Sequence, residues 1–193
     1  MLPRSFYQQD PLTAARALIG CELVWGGCRG VVVETEAYAE FGDEACHTFS
    51  RKSSREFVAI NPPGTAYVYL NYGMYFLFNV LVKSAAGNGF VLVRALQPTH
   101  GVELMCQRRG LSKLHSLCSG PGKLTIEFEI LRHHHGIDLC ADIAQSIHAG
   151  PAILPIETDV RVGITRSADF PWRFLHQDSR FVSARRQTKL LAR

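Results

Sequence analysis

The six cysteines of this sequence (Cys21, Cys28, Cys46, Cys106, Cys118 and Cys140) form no CxxC pair, which removes the zinc-ribbon and thioredoxin-type motifs. Repeats, low-complexity segments and long linkers are absent as well. The longest apolar run, around Met74 to Val82, is too short to cross a bilayer and contains Asn79. The opening MLPRSFYQQD has no apolar core, so no secretory signal is expected. The thiols therefore read as reduced, in a soluble intracellular protein of the cytoplasm or nucleoid (the nucleus in a eukaryotic host). Excess charge is small: 21 Lys and Arg against 17 Asp and Glu give +4, with a pI near 8.8. Such a balance permits a polyanionic partner without requiring one.

Two apparent motifs also fail. SGPGK (119–123) lacks the P-loop pattern, with Leu117 where the first Gly belongs and Leu124 in place of Ser or Thr. The run His133-His134-His135 cannot converge on one ion, and no Cys or carboxylate stands at a zinc-like spacing from it. These histidines are expected in solvent, and neither a metal nor another cofactor is expected.

What is present is the composition of a folded chain, 47% apolar and 20% charged over 193 residues, enough for one domain spanning 1–193. DPLTAARALIG (10–20) predicts a helix: Asp10 caps it, Pro11 opens it, an apolar stripe follows, and Gly20 stops it. ELVW (22–25), a Gly-Gly turn and RGVVVETEAY predict a hairpin. The polar stretch from Ala39 to Glu56 reads as a long loop. TAYVYL (65–70), MYFLFNVLV (74–82) and FVLVRAL (90–96), separated by NYG and KSAAGNG, predict a three-stranded antiparallel meander. A helix is expected to end at Gly110. LTIEFEI (124–130) alternates like a strand, yet the preceding SGPGK equally suits a helix start. DVRVGI (159–164) and a WRFL…RFVS pair read as strands. Strands dominate and helices are interspersed, so the fold class is α+β.

Chemistry is signalled by polar residues where strands should be apolar. In VVVETEAY, Glu34, Glu36 and Tyr38 project to one face beside a buried run. Arg94 interrupts FVLVRAL and Asn79 interrupts MYFLFNVLV. A buried guanidinium needs a partner, and Glu34 and Glu36 are the candidates. Paired ions and a satisfied amide could be purely structural; three such exceptions on neighbouring strands equally suit a site. Carboxylates at i and i+2 lie roughly 6–7 Å apart at Cα, within the general range of glycosidase dyads. Tyr72 occupies a turn where a small polar residue is usual, so it is either packed beneath a loop or offered to a partner such as nucleic acid. Basic clusters at SRKSSR (50–55), QRRG (107–110) and ARRQTKLLAR (184–193) are solvated surface or phosphate contacts.

The succession VVVETEAY, His47, PGTAYVYLNYGMYFLFNV, VLVRAL and CSGPGKL, in this order and spacing, resembles the alkyladenine (3-methyladenine) DNA glycosylase family. The likeness runs from AARALIG to RFVS. It implies a single compact domain with a curved, mostly antiparallel β-sheet and peripheral helices. It also implies a monomeric, monofunctional repair enzyme acting on double-stranded DNA. Such an enzyme flips a damaged purine (3-methyladenine, hypoxanthine or ethenoadenine class) from the duplex and hydrolyses its N-glycosidic bond.

By motif position, Glu36 would activate the water, with Arg94 holding water and carboxylate. Tyr38, His47 and Tyr69 would sandwich the base, and Asn79 would stand near the purine 2-position. Tyr72 would be the wedge, with Met74 and Leu92 supporting it and Lys123 joining the DNA-facing set. Ser53-Ser54-Arg55-Glu56 departs from the family's Thr-Pro-Arg-Asn-like run, and Asn71 is polar where an apolar residue is expected. Two other readings suit the residues: a non-catalytic nucleic-acid binding module, and a small-molecule glycosidase using Glu34 with Glu36.

Overall fold

The structure, a computed structural model, describes residues 1–150 and 154–184, so the basic tail from Arg185 onward lies outside the described residues. Eight strands form one curled antiparallel sheet: β1 Glu22–Trp25, β2 Cys28–Ala39, β3 Ala66–Asn71, β4 Tyr75–Ser84, β5 Gly87–His100, β6 Gln145–His148, β7 Ile156–Asp159 and β8 Arg173–His176. Their order is β3-β4-β5-β2-β1-β6. The long β2 gives one edge to β5 along its length and divides the other. Cys28–Val31 pair with β1, and Glu34–Glu36 pair with β8, which in turn carries β7. With helices around this sheet, the α+β architecture is as expected.

Six helices surround it among the described residues: α1 Pro11–Ala17, α2 His47–Ser50, α3 Lys52–Ile60, α4 Val102–Arg109, α5 Leu114–Leu117 and α6 Pro121–Glu127. In α1 the Asp10 carboxylate accepts from the Leu12 and Thr13 amides, a cap typically worth about 0.5–2 kcal/mol. α4 stops at Gly110, whose φ of 62° is the left-handed conformation that suits glycine.

Strand alternation separates two cores. Val68, Phe78, Val80, Val91 and Val93 join the main core with Trp25, Leu96 and Phe128. The intervening residues Tyr67, Leu81 and Phe90 face a smaller cluster under α3, with Phe57 and Val58. Two rows of ladder partners cross this second face: Leu81–Phe90–Tyr38, and Tyr67–Asn79–Leu92–Glu36.

Between β2 and β5 the ladder skips Thr99 near one end and, further along, one residue on each strand. Val32 pairs with Leu96, Glu34 with Ala95 and Thr35 with Val93, so Val33 and Arg94 have no ladder partner and pairing then resumes as before. Bulges of this kind re-aim side chains. Here consecutive residues serve one neighbour: Val33 packs with Ala95 and Phe181, and Glu34 accepts hydrogen bonds from Ser183.

Several sequence expectations are corrected. The stretch 39–56 is not all loop, because Ser54, Phe57 and Val58 bury one side of α3, and α2 precedes it. LTIEFEI, which suited either a strand or a helix, takes the helix: Pro121 opens it, and it buries Leu124, Thr125 and Glu127. In DVRVGI only Asp159 belongs to a strand; the rest turns away through Gly163 at φ 76°. WRFL supplies β8, whereas RFVS is irregular and packs against Val33 and Glu34. The KSAAGNG turn is shorter than expected, since β4 runs to Ser84 and β5 begins at Gly87. His134 is buried against Trp25, its Nδ1 accepting from the Leu131 amide. His133 and His135 are exposed as expected. The short β6 had no sequence signal. Among the described residues no helix is long and apolar enough to cross a membrane, and no group of three or more His, Cys, Asp or Glu is placed to hold a metal ion.

Candidate active site

The polar exceptions of three adjacent strands meet on the sheet's second face. Arg94 is 7% exposed, and Glu34 and Glu36 are fully buried. Arg94 donates Nε to Glu34 Oε1 at 2.9 Å, Nη1 to Glu36 Oε2 at 3.2 Å and Nη2 to Ser183 Oγ at 3.1 Å. Burial opposes its charge, but the two carboxylates outweigh burial and raise its pKa.

The two acids have different surroundings. Glu34 Oε1 accepts from Arg94, from Arg173 Nε at 2.8 Å and from Ser183 Oγ at 2.8 Å, while Oε2 accepts the Ser183 amide. Arg173 also reaches Asp159 and the Ala184 carbonyl. Glu34 is thus occupied in anchoring β5, β8 and residues 183–184. Among the described residues Glu36 Oε1 accepts only the Val162 amide, at 2.7 Å, while Oε2 takes Arg94 and the Tyr38 hydroxyl at 2.8 Å. Burial first, then the Glu36 charge, pushes the Tyr38 phenol well above its ordinary pKa, so it keeps its proton and donates.

Beside Glu36 opens a cleft of about 340 Å³, at the low end of the roughly 300–1,000 Å³ usual for small-molecule sites. Tyr38, His47, Tyr69, Asn79, Leu92 and Arg94 line it, together with Ala45, Pro121 and the Val162–Ile164 turn. Glu36 itself lies behind Tyr38 and Arg94. Asn79 satisfies its amide on the Tyr67 carbonyl at 3.1 Å. His47, the first residue of α2, places its ring 4.3 Å from that of Tyr69 and its Nδ1 3.0 Å from the Tyr67 hydroxyl. That hydroxyl also meets Ser54 Oγ at 2.8 Å. Burial, then the nearby Arg51 charge, brings the His47 pKa down to about 4, leaving the ring neutral at pH 7.

The remaining candidates stand at the rim. Tyr72 lies at the β3–β4 turn, 81% exposed, with φ of 50° followed by Gly73 at 69°. Positive φ at both central residues normally takes Asn-Gly, and a non-glycine residue there costs about 1–2 kcal/mol. Met74 beside it is exposed. Leu92, by contrast, is buried in the cleft wall. Lys123 is exposed and turned to Ser119 Oγ at 3.3 Å, outside the cleft lining. Arg55 donates to the Thr48 carbonyl, and Arg108 and Arg109 bond the carbonyls of Glu127, Ser116 and Leu117.

Sequence reasoning missed Val162, Arg161 and Tyr67. A backbone amide has no residue-type signature, and Arg161 lay in a segment that reads as a strand. Tyr67 has no residue-type signal that sets it apart within TAYVYL, although its place in the ladder row with Asn79 follows from the meander.

A family model described as methylpurine-DNA glycosylase matches residues 5–180 of this chain. Among curated proteins, two from Rhodopseudomonas palustris are similar. One, of strain HaA2, is 45% identical over 94% of this chain and 90% of its own length; the other, of strain CGA009, is 42% identical over 95% and 88%. A protein of Granulibacter bethesdensis is 40% identical over 98% of this chain and 90% of its own. All three are provisionally named 3-methyladenine DNA glycosylase.

Proposed function

The chain belongs to the methylpurine-DNA glycosylase family, and from that premise we propose that it flips a damaged purine out of duplex DNA into the cleft beside Glu36 and releases it with a Glu36-activated water. Membership makes it a DNA glycosylase, a hydrolase of N-glycosyl bonds acting in DNA repair. The finer reading rests on one observation: the hydrogen-bond partners of the buried Glu36 carboxylate, Tyr38, Arg94 and Val162, all line an aromatic-walled cleft.

The reaction proceeds by hydrolysis. Water oxygen bonds to C1′ of the sugar as the bond from C1′ to the base nitrogen breaks. The bonding pair leaves with the base, and the water's proton passes to Glu36. An N-alkylated purine is cationic, so it departs neutral without a further proton. Arg94 holds the Glu36 carboxylate and the attacking water, and the Tyr38 phenol fixes the carboxylate from its other side. Base assistance of this kind is typically worth about 10²–10⁴-fold.

Tyr38, His47 and Tyr69 supply ring faces for the extruded base. Asn79, in the cleft floor, disfavours a purine 2-amino group such as that of guanine. Tyr72 fills the gap in the stack, an exchange that offsets the few kcal/mol of unstacking. Met74 supports the wedge at the rim, Leu92 backs the cleft, and Lys123 faces the DNA backbone. The enzyme works as a monomer and leaves an abasic site.

The small-molecule glycosidase reading asks Glu34 to act as second carboxylate. Four hydrogen bonds from Arg94, Arg173 and Ser183 leave it no role toward a substrate. The test of the proposal is a panel of duplexes holding one 3-methyladenine, 1,N6-ethenoadenine or hypoxanthine, assayed for abasic sites. Product on at least one duplex supports glycosylase action, and no product on any of them rejects it.

A further inference from the structure

Arg161 stands apart from the groups used so far. Its side chain and that of Asp43 are both fully buried, and they are joined by two hydrogen bonds, Nη1 to Oδ2 at 2.6 Å and Nη2 to Oδ1 at 2.8 Å. Nη1 also donates to the Ala37 carbonyl at 2.9 Å, and Nη2 to that of Ser167 at 3.0 Å. The guanidinium plane lies between two rings, 4.6 Å from the centroid of Tyr38 and 5.1 Å from that of Trp172. The next residue is Val162, whose amide bonds Glu36 Oε1 at 2.7 Å.

One side chain therefore ties together three parts of the cleft. It grips β2 at Ala37, between Glu36 and Tyr38. It backs the Tyr38 ring, whose hydroxyl orients Glu36 Oε2. It also fixes the turn that carries the Val162 amide on Oε1. The Asp43 loop joins the same wall through Ala45, and the Glu44 amide donates to Ser167 Oγ at 3.1 Å. A buried ion pair is seldom more stabilising than an apolar pair of similar volume, so stability alone does not account for a bidentate pair here. A planar fork does: it sets angles that an ammonium on a flexible stem does not.

We infer that the Arg161–Asp43 pair is a positioning element for the hydrolytic step, holding Tyr38 and the Val162 amide so that both oxygens of Glu36 are aimed from fixed directions. The inference rests on the proposed role of Glu36 as base. Neither Arg161 nor Asp43 touches substrate, so their loss acts on the rate of bond cleavage through Glu36. A misplacement near 1 Å commonly costs about 10²-fold in rate.

Single-turnover excision separates positioning from mere folding. Arg161→Lys keeps the charge and loses the fork; Asp43→Asn is a second, milder variant should the first fold poorly. With enzyme in excess over a duplex holding one 3-methyladenine, and well above the dissociation constant, a misfolded fraction leaves the rate constant unchanged as long as folded enzyme still exceeds the duplex. The expected result is full amplitude with a rate constant lowered by about 10²-fold in Arg161→Lys and by a smaller factor in Asp43→Asn, and lesion-duplex affinity within a few-fold of wild type. A rate constant within about three-fold of wild type in both variants overturns the inference. Absence of excision by the wild type rejects the glycosylase reading instead, and is seen before any variant is compared.

Discussion

Glu34 and Glu36, two residues apart on β2, share one guanidinium: Arg94 gives Nε to the first at 2.9 Å and Nη1 to the second at 3.2 Å. Their other partners differ in kind. Glu34 is bound on both oxygens by groups that fasten the chain's closing segment, whereas Glu36 faces a phenol and a loop amide at the cleft. The same residue type in the same strand thus anchors neighbouring segments at one position and, in the proposed reaction, activates water at the other.

Removing the charge of Glu36 tests the chemical half. Glu36→Gln is expected to lower single-turnover excision by about 10²–10⁴-fold while lesion-duplex binding persists. Undiminished excision in this variant would exclude Glu36 as the base.

Glu34→Ala should fail differently. It takes one of two carboxylate partners from each of two buried guanidiniums, Arg94 and Arg173, and breaking a buried pair from one side costs about 3–5 kcal/mol. Urea unfolding of the purified variant, compared with wild type at pH 7, should show that loss. Wild-type stability in Glu34→Ala would mean that the guanidiniums find other partners.

His47 gives a pH signature. Its folded pKa, pulled down to about 4 by burial and then by Arg51, lies below the ordinary 6.5, so between these values the unfolded chain takes up a proton that the folded one refuses. Its contribution to stability is therefore present above about pH 6.5 and lost as pH falls towards 4. Wild type should lose more stability than His47→Phe between pH 7 and pH 5, read as the difference between their urea midpoints. Parallel pH curves for the two proteins would show that the imidazole titrates normally.

At Tyr72, stability and function should move in opposite directions. Replacement by glycine relieves the left-handed φ, worth up to about 1–2 kcal/mol. The same change should weaken binding to a lesion duplex and slow flipping, followed by a fluorescent base analogue opposite or beside the lesion. Unchanged binding and flipping in Tyr72→Gly would remove the wedge from the mechanism.

Much of this molecule was legible in the sequence because its strands alternate cleanly. The meander from Ala66 to Leu96 and the first helix follow from apolar period and from Asp10, Pro11 and Gly20. Glu34, Glu36, Asn79 and Arg94 announced themselves as polar residues in runs that had to be buried, and three of the four proved to be one hydrogen-bonded group. What stayed hidden was set by tertiary context. LTIEFEI has the period of a strand, but Pro121 and its neighbours start a helix before that period can act. VRVGI alternates equally well, yet Gly163 bends it so that Arg161 turns inward and Val162 offers its amide. Pairings across long separations, such as Asp43 with Arg161, have no local trace.

From Gly30 to Ala39 the ladder between β2 and β5 omits Val33 on one strand and Arg94 on the other, and its register is the same on either side of them. The two extra residues therefore cancel. Deleting Val33 alone would leave Arg94 uncompensated, and every side chain beyond it on β2, Glu36 and Tyr38 included, would turn to the opposite face. Deleting both would restore the register at the expense of the cation. The alignment of the strands beyond this point and the buried cation beside the cleft therefore depend on the same pair of residues.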